Sequence, residues 1–230
     1  MKIFAHRGDS KEAPENSIEA FRKAIELEAD SIEIDCQLTR DKIPVVTHNN
    51  NLAKLKLGKG CVHQKTWAEL ESLGVPSLTE VLELVKPSGT DVILDLKAQP
   101  GLMHIGPRII AGLAQEIISP NRILLSSFYF RHLLTLKKHF NHIPRALIAM
   151  QSSFKLVPPE IFDRFFMLRA FHPLLKWTTP SLVNKWHEKG FKVHVWVANS
   201  EAQFRRCREL GVDGIFTDDP RRAREFFAQG

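Results

Sequence analysis

The chain has 230 residues, of which 43% are hydrophobic and 25% charged, and its formal net charge is +6. That length and balance suit a globular chain with a well-buried core and exclude a disordered polypeptide. No run of 18 apolar residues occurs, which excludes an ordinary membrane-crossing helix. The positive charge favours anionic partners (phosphoesters, nucleic acid, anionic lipid surfaces) without choosing among them. Only Ile3, Phe4 and Ala5 separate Lys2 from His6, too few for the apolar region of a secretory leader, so a cytoplasmic location is expected. Cys36, Cys61 and Cys207 are odd in number and scattered without a C-x-x-C pair; reduced thiols are expected and a zinc site is not.

In chain order, KIFA (2–5) reads as a strand and is followed by a helix from Ser17 to Glu28. Asn16 is the expected N-cap there, with Glu19 three residues on in a capping-box pattern. SIEID (31–35) and VVTH (45–48) follow, then helical WAELESL and SLTEVLELV, and the strand DVILDLK (91–97). After a helix near 105–118 come RILLSS (122–127), a helix over 129–140, PRALIAM (144–150) and MLRAF (167–171). A helix over 179–189 precedes KVHVWVA (192–198), a further helix at 200–210, GIFTD (214–218) and a closing helix at 221–228.

With VVTH counted as an extension of the second unit, eight strands each lead to helix, the alternation of a parallel sheet. The expectation is an α/β chain, one (β/α)8 TIM-barrel domain over residues 1–230, in preference to an open doubly wound sheet. His6, Asp35, His48, Lys97, Ser126 with Ser127, and Asp218 fall at C-terminal strand ends, which a barrel gathers on one face. No G-x-G-x-x-G or Walker loop supports nucleotide binding of the doubly wound kind.

Side chains two apart on a strand share a face. Glu33 and Asp35 therefore point the same way, as do Asp95 and Lys97. Carboxylates turned into a barrel repel each other and lose solvation, so they need a cation. The all-oxygen set Glu33, Asp35 and Asp95 suits a hard divalent ion, Mg²⁺ or Ca²⁺. The alternative is structural ion pairing with Lys97, Arg7 or Arg40. His6 and His48, both at strand ends, form a candidate acid/base pair, while Arg7 and Lys97 offer positive charge to a phosphate. Together these residues make a workable apparatus for phosphodiester cleavage.

The stretches AHRGDSKEAPENSIEAF and SIEIDCQLTRDKIPVVTH carry H-R-G, P-E-N, E-x-D and a strand ending in His, in that order. The sequence thereby resembles the glycerophosphodiester phosphodiesterase family of (β/α)8 barrels. PSLTEVLEL, D-x-K, LLSSF, VHVWVANS and GVDGIFTDDP continue the likeness to about Arg221. The resemblance implies metal-dependent hydrolysis of small-molecule glycerophosphodiesters to an alcohol and sn-glycerol 3-phosphate. It implies Glu33, Asp35 and Asp95 as ligands of Mg²⁺ or Ca²⁺, and His6 and His48 as the acid/base pair. Arg7 and Lys97 would hold phosphate, Trp196 would wall the pocket, and Glu15, Asn16 and Asn49 would support the site. Attack by the substrate's own hydroxyl and attack by water both stay open.

Three departures stand out. Asn49 replaces the usual Asp after His48, Asp95 replaces the usual Glu, and NNNLAKLKLGKGCVHQ lacks the usual Arg-Thr-Thr. The link from ESLG to VPSL also lacks the family's longer loop, and such shortening suggests a lysophospholipase D-like activity as one alternative. Asn49 and Asp95 suggest a catalytically weak phosphate-ligand-binding barrel as another. Phe154, Phe162, Phe165 and Phe166 with Leu156 read as core packing, with weak membrane-surface contact as the competing role. The basic pairs Lys137-Lys138 and Arg205-Arg206 read as solvated helix faces, and no nucleic-acid partner is expected.

Overall fold

The computed structural model of the protein describes residues 1–149 and 165–229. Phe154, Leu156 and Phe162 of the group expected to pack in the core lie outside the described residues. Of its remaining members, Phe165 is exposed, whereas Phe166 is buried and stacks on Phe130 at 5.1 Å.

Nine strands are described. β1 (Lys2–Ala5), β2 (Ser31–Leu38), β4 (Asp91–Leu96), β5 (Ile123–Ser127), β6 (Arg145–Ala149), β7 (Ala170–Pro173), β8 (Lys192–Val195) and β9 (Gly214–Thr217) run parallel. β1 pairs with both β2 and β9, so these eight close into a barrel, as the alternation of elements predicts. β3 (Pro44–Val46) folds back antiparallel on β2 and places Val46 opposite Cys36. The described helices are α1 (Ile18–Glu26), α2 (Trp67–Glu71), α3 (Leu78–Val85), α4 (Ile105–Ile117), α5 (Phe130–His139), α6 (Pro180–Glu188), α7 (Glu201–Leu210) and α8 (Pro220–Ala228). None among the described residues is long and apolar enough to cross a membrane. All three cysteines are unpaired.

Local chemistry sets many of these boundaries. Thr66 and Ser77 cap α2 and α3, each exchanging hydrogen bonds with the Glu three residues on. Pro180 and Pro220 open α6 and α8, where the missing N–H costs nothing. Two expectations need correction. Ser17, not Asn16, caps α1, its hydroxyl accepting from the Ala20 N–H, and Glu19 completes no capping box. The strand expected at 167–171 instead spans Ala170–Pro173, because its ladder to β6 pairs Ala146 with Ala170 and Ala149 with Pro173.

Strand alternation divides the core into two zones. Outward residues meet the helices, as where Phe171 stacks on Trp186 at 4.5 Å. Inward, Phe4, Ile93 and Phe216 plug the barrel with Leu124 and Trp196 against them. Gly214 is a packing requirement of that plug. A Cβ there would lie 2.6 Å from Phe4 Cε2 and 3.3 Å from His194 Cδ2. Gly214→Ala should therefore destabilise the fold by ~2 kcal/mol through overpacking. Thermal unfolding should show Tm lowered by roughly 4–8 °C; an unchanged Tm would mean that the plug yields.

Candidate active site

β1 delivers the first components at its C-terminal end. The chain turns sharply after Ala5, with Arg7 at φ +61° and Gly8 at φ +83°. Gly8 is required twice over, since a Cβ would also lie 2.6 Å from the Ala20 backbone carbon. The turn aims the Arg7 N–H at Glu33 Oε2, 2.9 Å away. The Arg7 guanidinium spans Asp35 Oδ2 (3.1 Å) and Glu15 Oε2 (2.6 Å). His6 Nδ1 lies 2.6 Å from Asp218 Oδ1. Asp218 itself accepts from Asn199 Nδ2 and the Ser10 hydroxyl.

The middle of the site comes from β2 and β4, whose register sets Asp35 beside Asp95. Glu33, Asp35 and Asp95 are all buried, and each offers an oxygen within 4.8 Å of the others. Lys97 Nζ lies 2.6 Å from Asp35 Oδ1 and contacts Asp95 Oδ2 as well. Asn16 completes the cradle from behind. Its Nδ2 donates to Asp35 Oδ2 at 2.8 Å, and its Oδ1 accepts from the Asp35 N–H at 3.2 Å. That engagement is why Asn16 does not cap the helix. β3, folded back on β2, returns His48 to the same mouth, where Asn49 Nδ2 sits 3.2 Å from its Nδ1.

Burial and charge act against each other here. Burial, reinforced by Asp35 and Asp95, pushes the Glu33 carboxyl well up, and Lys97 and Arg7 offset this only in part. Asp35 is also buried, but Lys97 and Arg7 overcome that and hold it well below the usual carboxylate range. Burial raises Asp95 despite its contact with Lys97. Burial alone would lower Lys97, yet Asp95, Asp35 and Glu33 more than reverse it. Burial pushes His48 down to about 4, against the pull of Asp35.

A divalent cation fits this set. Three buried carboxylates face two protein cations, and Asp95 Oδ1 is buried without a hydrogen-bond partner among the described residues. All donors are oxygen, which suits a hard ion. The carboxylates, both histidines, Arg7 and Lys97 line one cavity. Its opposite wall is largely apolar: Phe128, Ile148, Trp196 and Phe216, with His172. Trp196 Nε1 donates to the His172 carbonyl at 2.8 Å, and Phe128 meets Trp196 edge-to-face at 5.8 Å.

Every residue expected to act on metal, proton or phosphate thus lines the cavity, as does Trp196. Glu15 stands in an adjoining groove with His6 and Arg7, Asn16 behind Asp35, and Asn49 against His48. Asn199 is a loop hydrogen bonder, its Oδ1 accepting from the Asp218 N–H, while Ser200 caps α7. Ser126 lines the cavity, while buried Ser127 holds the Leu96 carbonyl and His132. His194 turns inward like Trp196 but borders an opening among the strands' N-terminal residues. The contact of Asp218 with His6 escaped sequence reasoning, although its position at a strand end was a signal. His172 gave none, because the expected strand stopped one residue short of it.

The model of the glycerophosphoryl diester phosphodiesterase family matches residues 6–222. A glycerophosphodiester phosphodiesterase of Caldanaerobacter subterraneus subsp. tengcongensis is 33% identical, over 95% of this chain and 94% of that protein. The lysophospholipase D GDPD1 of Homo sapiens is 26% identical, over 98% of this chain and 85% of that protein. The fold is shared with an Oleispira antarctica phosphodiesterase solved in complex with its product sn-glycerol-3-phosphate. The TM-score is 0.90 at 23% identity, covering 99% of this chain and 97% of that one. The chain belongs to the glycerophosphoryl diester phosphodiesterase family, whose members are phosphoric diester hydrolases.

Proposed function

We propose that the protein hydrolyses glycerophosphodiesters to an alcohol and sn-glycerol 3-phosphate, using a divalent cation and two histidines. One observation carries this reading. Three carboxylates, two histidines and two cationic side chains meet in a single cavity on the face where barrel active sites form. Glu33, Asp35 and Asp95 would hold the cation, Mg²⁺ or Ca²⁺, which when bound supplies polarisation of a phosphoryl oxygen. Arg7 and Lys97 add positive charge on the phosphate, and Arg7 is braced for this by Glu15 and Asp35. Asp218 engages His6 Nδ1 and leaves Nε2 to exchange a proton with the substrate. His48 serves as the second proton-transfer group.

Retention of Asp95 within reach of Glu33 and Asp35 supports an enzyme over a phosphate-binding barrel. The apolar wall gives a second reading, lysophospholipid hydrolysis at the same bond, some support. Comparing turnover of lysophosphatidylcholine with that of glycerophosphocholine separates the two, and we expect the smaller substrate to be preferred.

Release of sn-glycerol 3-phosphate from glycerophosphocholine should require added divalent cation and vanish in EDTA. Glu33→Ala should lower kcat/KM by at least ~100-fold; full activity in that variant would contradict the ligand assignment. Asp218→Asn should lower kcat by roughly 10–100-fold with little change in KM or metal affinity, because it misorients His6 without touching the carboxylates. Asn49→Asp should raise the His48 pKa by placing a carboxylate on its ring. If His48 acts protonated, the limb of kcat reporting it then moves to higher pH; an unshifted profile would exclude His48 as the titrating group.

A further inference from the structure

Within the barrel, His172 of β7 and His194 of β8 form a buried pair, with His172 Nε2 3.1 Å from His194 Nδ1. His172 is 1% exposed, lies against Phe216 at 4.9 Å between ring centroids, and lines the active-site cavity. Burial, with His194 adding to it, keeps the His172 ring neutral. Its Nε2 is taken by His194, and Nδ1 has no hydrogen-bond partner among the described residues. The neighbouring polar groups of that wall are already engaged: Trp196 Nε1 on the His172 carbonyl, and the Ser126 hydroxyl on the Leu94 carbonyl. That ring nitrogen is left to pair with a polar group of a ligand in the cavity that His172 lines.

The pair also restricts what that ligand can be. If His194 donates to His172 Nε2, then Nδ1 of the neutral His172 ring carries the proton and is a donor. If His172 donates instead, its Nδ1 is an acceptor. A hydroxyl group, which both donates and accepts, satisfies either arrangement. On the glycerophosphodiester reading, we assign the leaving alcohol to the groove bounded by Ser10, Lys11, Glu15 and Asp218 beside His6 and Arg7, and the glycerol end to the wall that includes His172.

We infer that His172, held by His194, is a specificity-determining residue that hydrogen-bonds a hydroxyl of the substrate's glycerol moiety. This rests on the glycerophosphodiester reading above. The site would distinguish a glycerol phosphate from an alkyl phosphate of the same length.

The test is calorimetric binding of sn-glycerol 3-phosphate and of propyl phosphate, in the presence of Mg²⁺, to wild type, His172→Phe and His172→Asn. Wild type should prefer glycerol 3-phosphate by roughly tenfold or more. His172→Phe should shrink that preference at least ~5-fold while propyl phosphate affinity stays within about twofold, and His172→Asn should restore part of it. An unchanged preference in His172→Phe would overturn the inference. So would parallel weakening of both ligands in both variants, which is what a purely structural role predicts. Turnover of glycerophosphocholine by the wild type is read separately. Its absence with selective binding intact would remove the proposed activity and leave this site standing.

Discussion

Putting three carboxylates into the mouth of a barrel is the constraint from which the rest of the site follows. Glu33, Asp35 and Asp95 arrive on two adjacent strands in register, so neither side-chain rotation nor a change of loop can separate them widely. Desolvation and mutual repulsion would protonate them unless cations faced them. Lys97 and Arg7 answer for Asp35, and they leave Glu33 and Asp95 pushed upward. That remaining imbalance is the physical basis on which we propose a divalent ion. It also explains the position of the two protein cations. They are held by the carboxylates and cannot retreat to solvent without leaving buried charge uncompensated.

The loop after β1 is shaped by the same demand. The left-handed conformation at Arg7 is unusual for a residue with a side chain, and it lets one residue serve Glu33 with its backbone and Asp35 with its guanidinium. Asn16 also sits at positive φ, +59°, and turns its amide to Asp35 instead of the helix. Local strain in this segment is compensated by contacts to the carboxylate cluster. His6 is positioned by a different element, the end of β9, through Asp218. His6 and the carboxylate cluster are thus supported from opposite sides of the first strand.

Much of this was legible in the sequence because strand periodicity is strict. A period of two puts Glu33 with Asp35 and Asp95 with Lys97 whatever the details of packing. The recurrence of strand and helix was enough for the barrel. What escaped depended on competition between partners that lie far apart in the chain. Asn16 and Ser17 are both good caps, and only the proximity of Asp35, nineteen residues on, decides which one caps. His172 was hidden because apolar Met167 and Leu168 look like strand, whereas the ladder with β6 begins at Ala170. Asp218 was visible as a polar strand end, but its partner lies 212 residues away.

We propose that Glu33, Asp35 and Asp95 together hold a catalytic cation. A crystal structure with Mg²⁺ and sn-glycerol 3-phosphate tests it most directly. The expected result is a cation touching all three carboxylates, with Lys97 turned from Asp95 to the phosphate. A structure in which Lys97 still bridges Asp35 and Asp95, with the cation elsewhere or missing any of the three carboxylates, would contradict it.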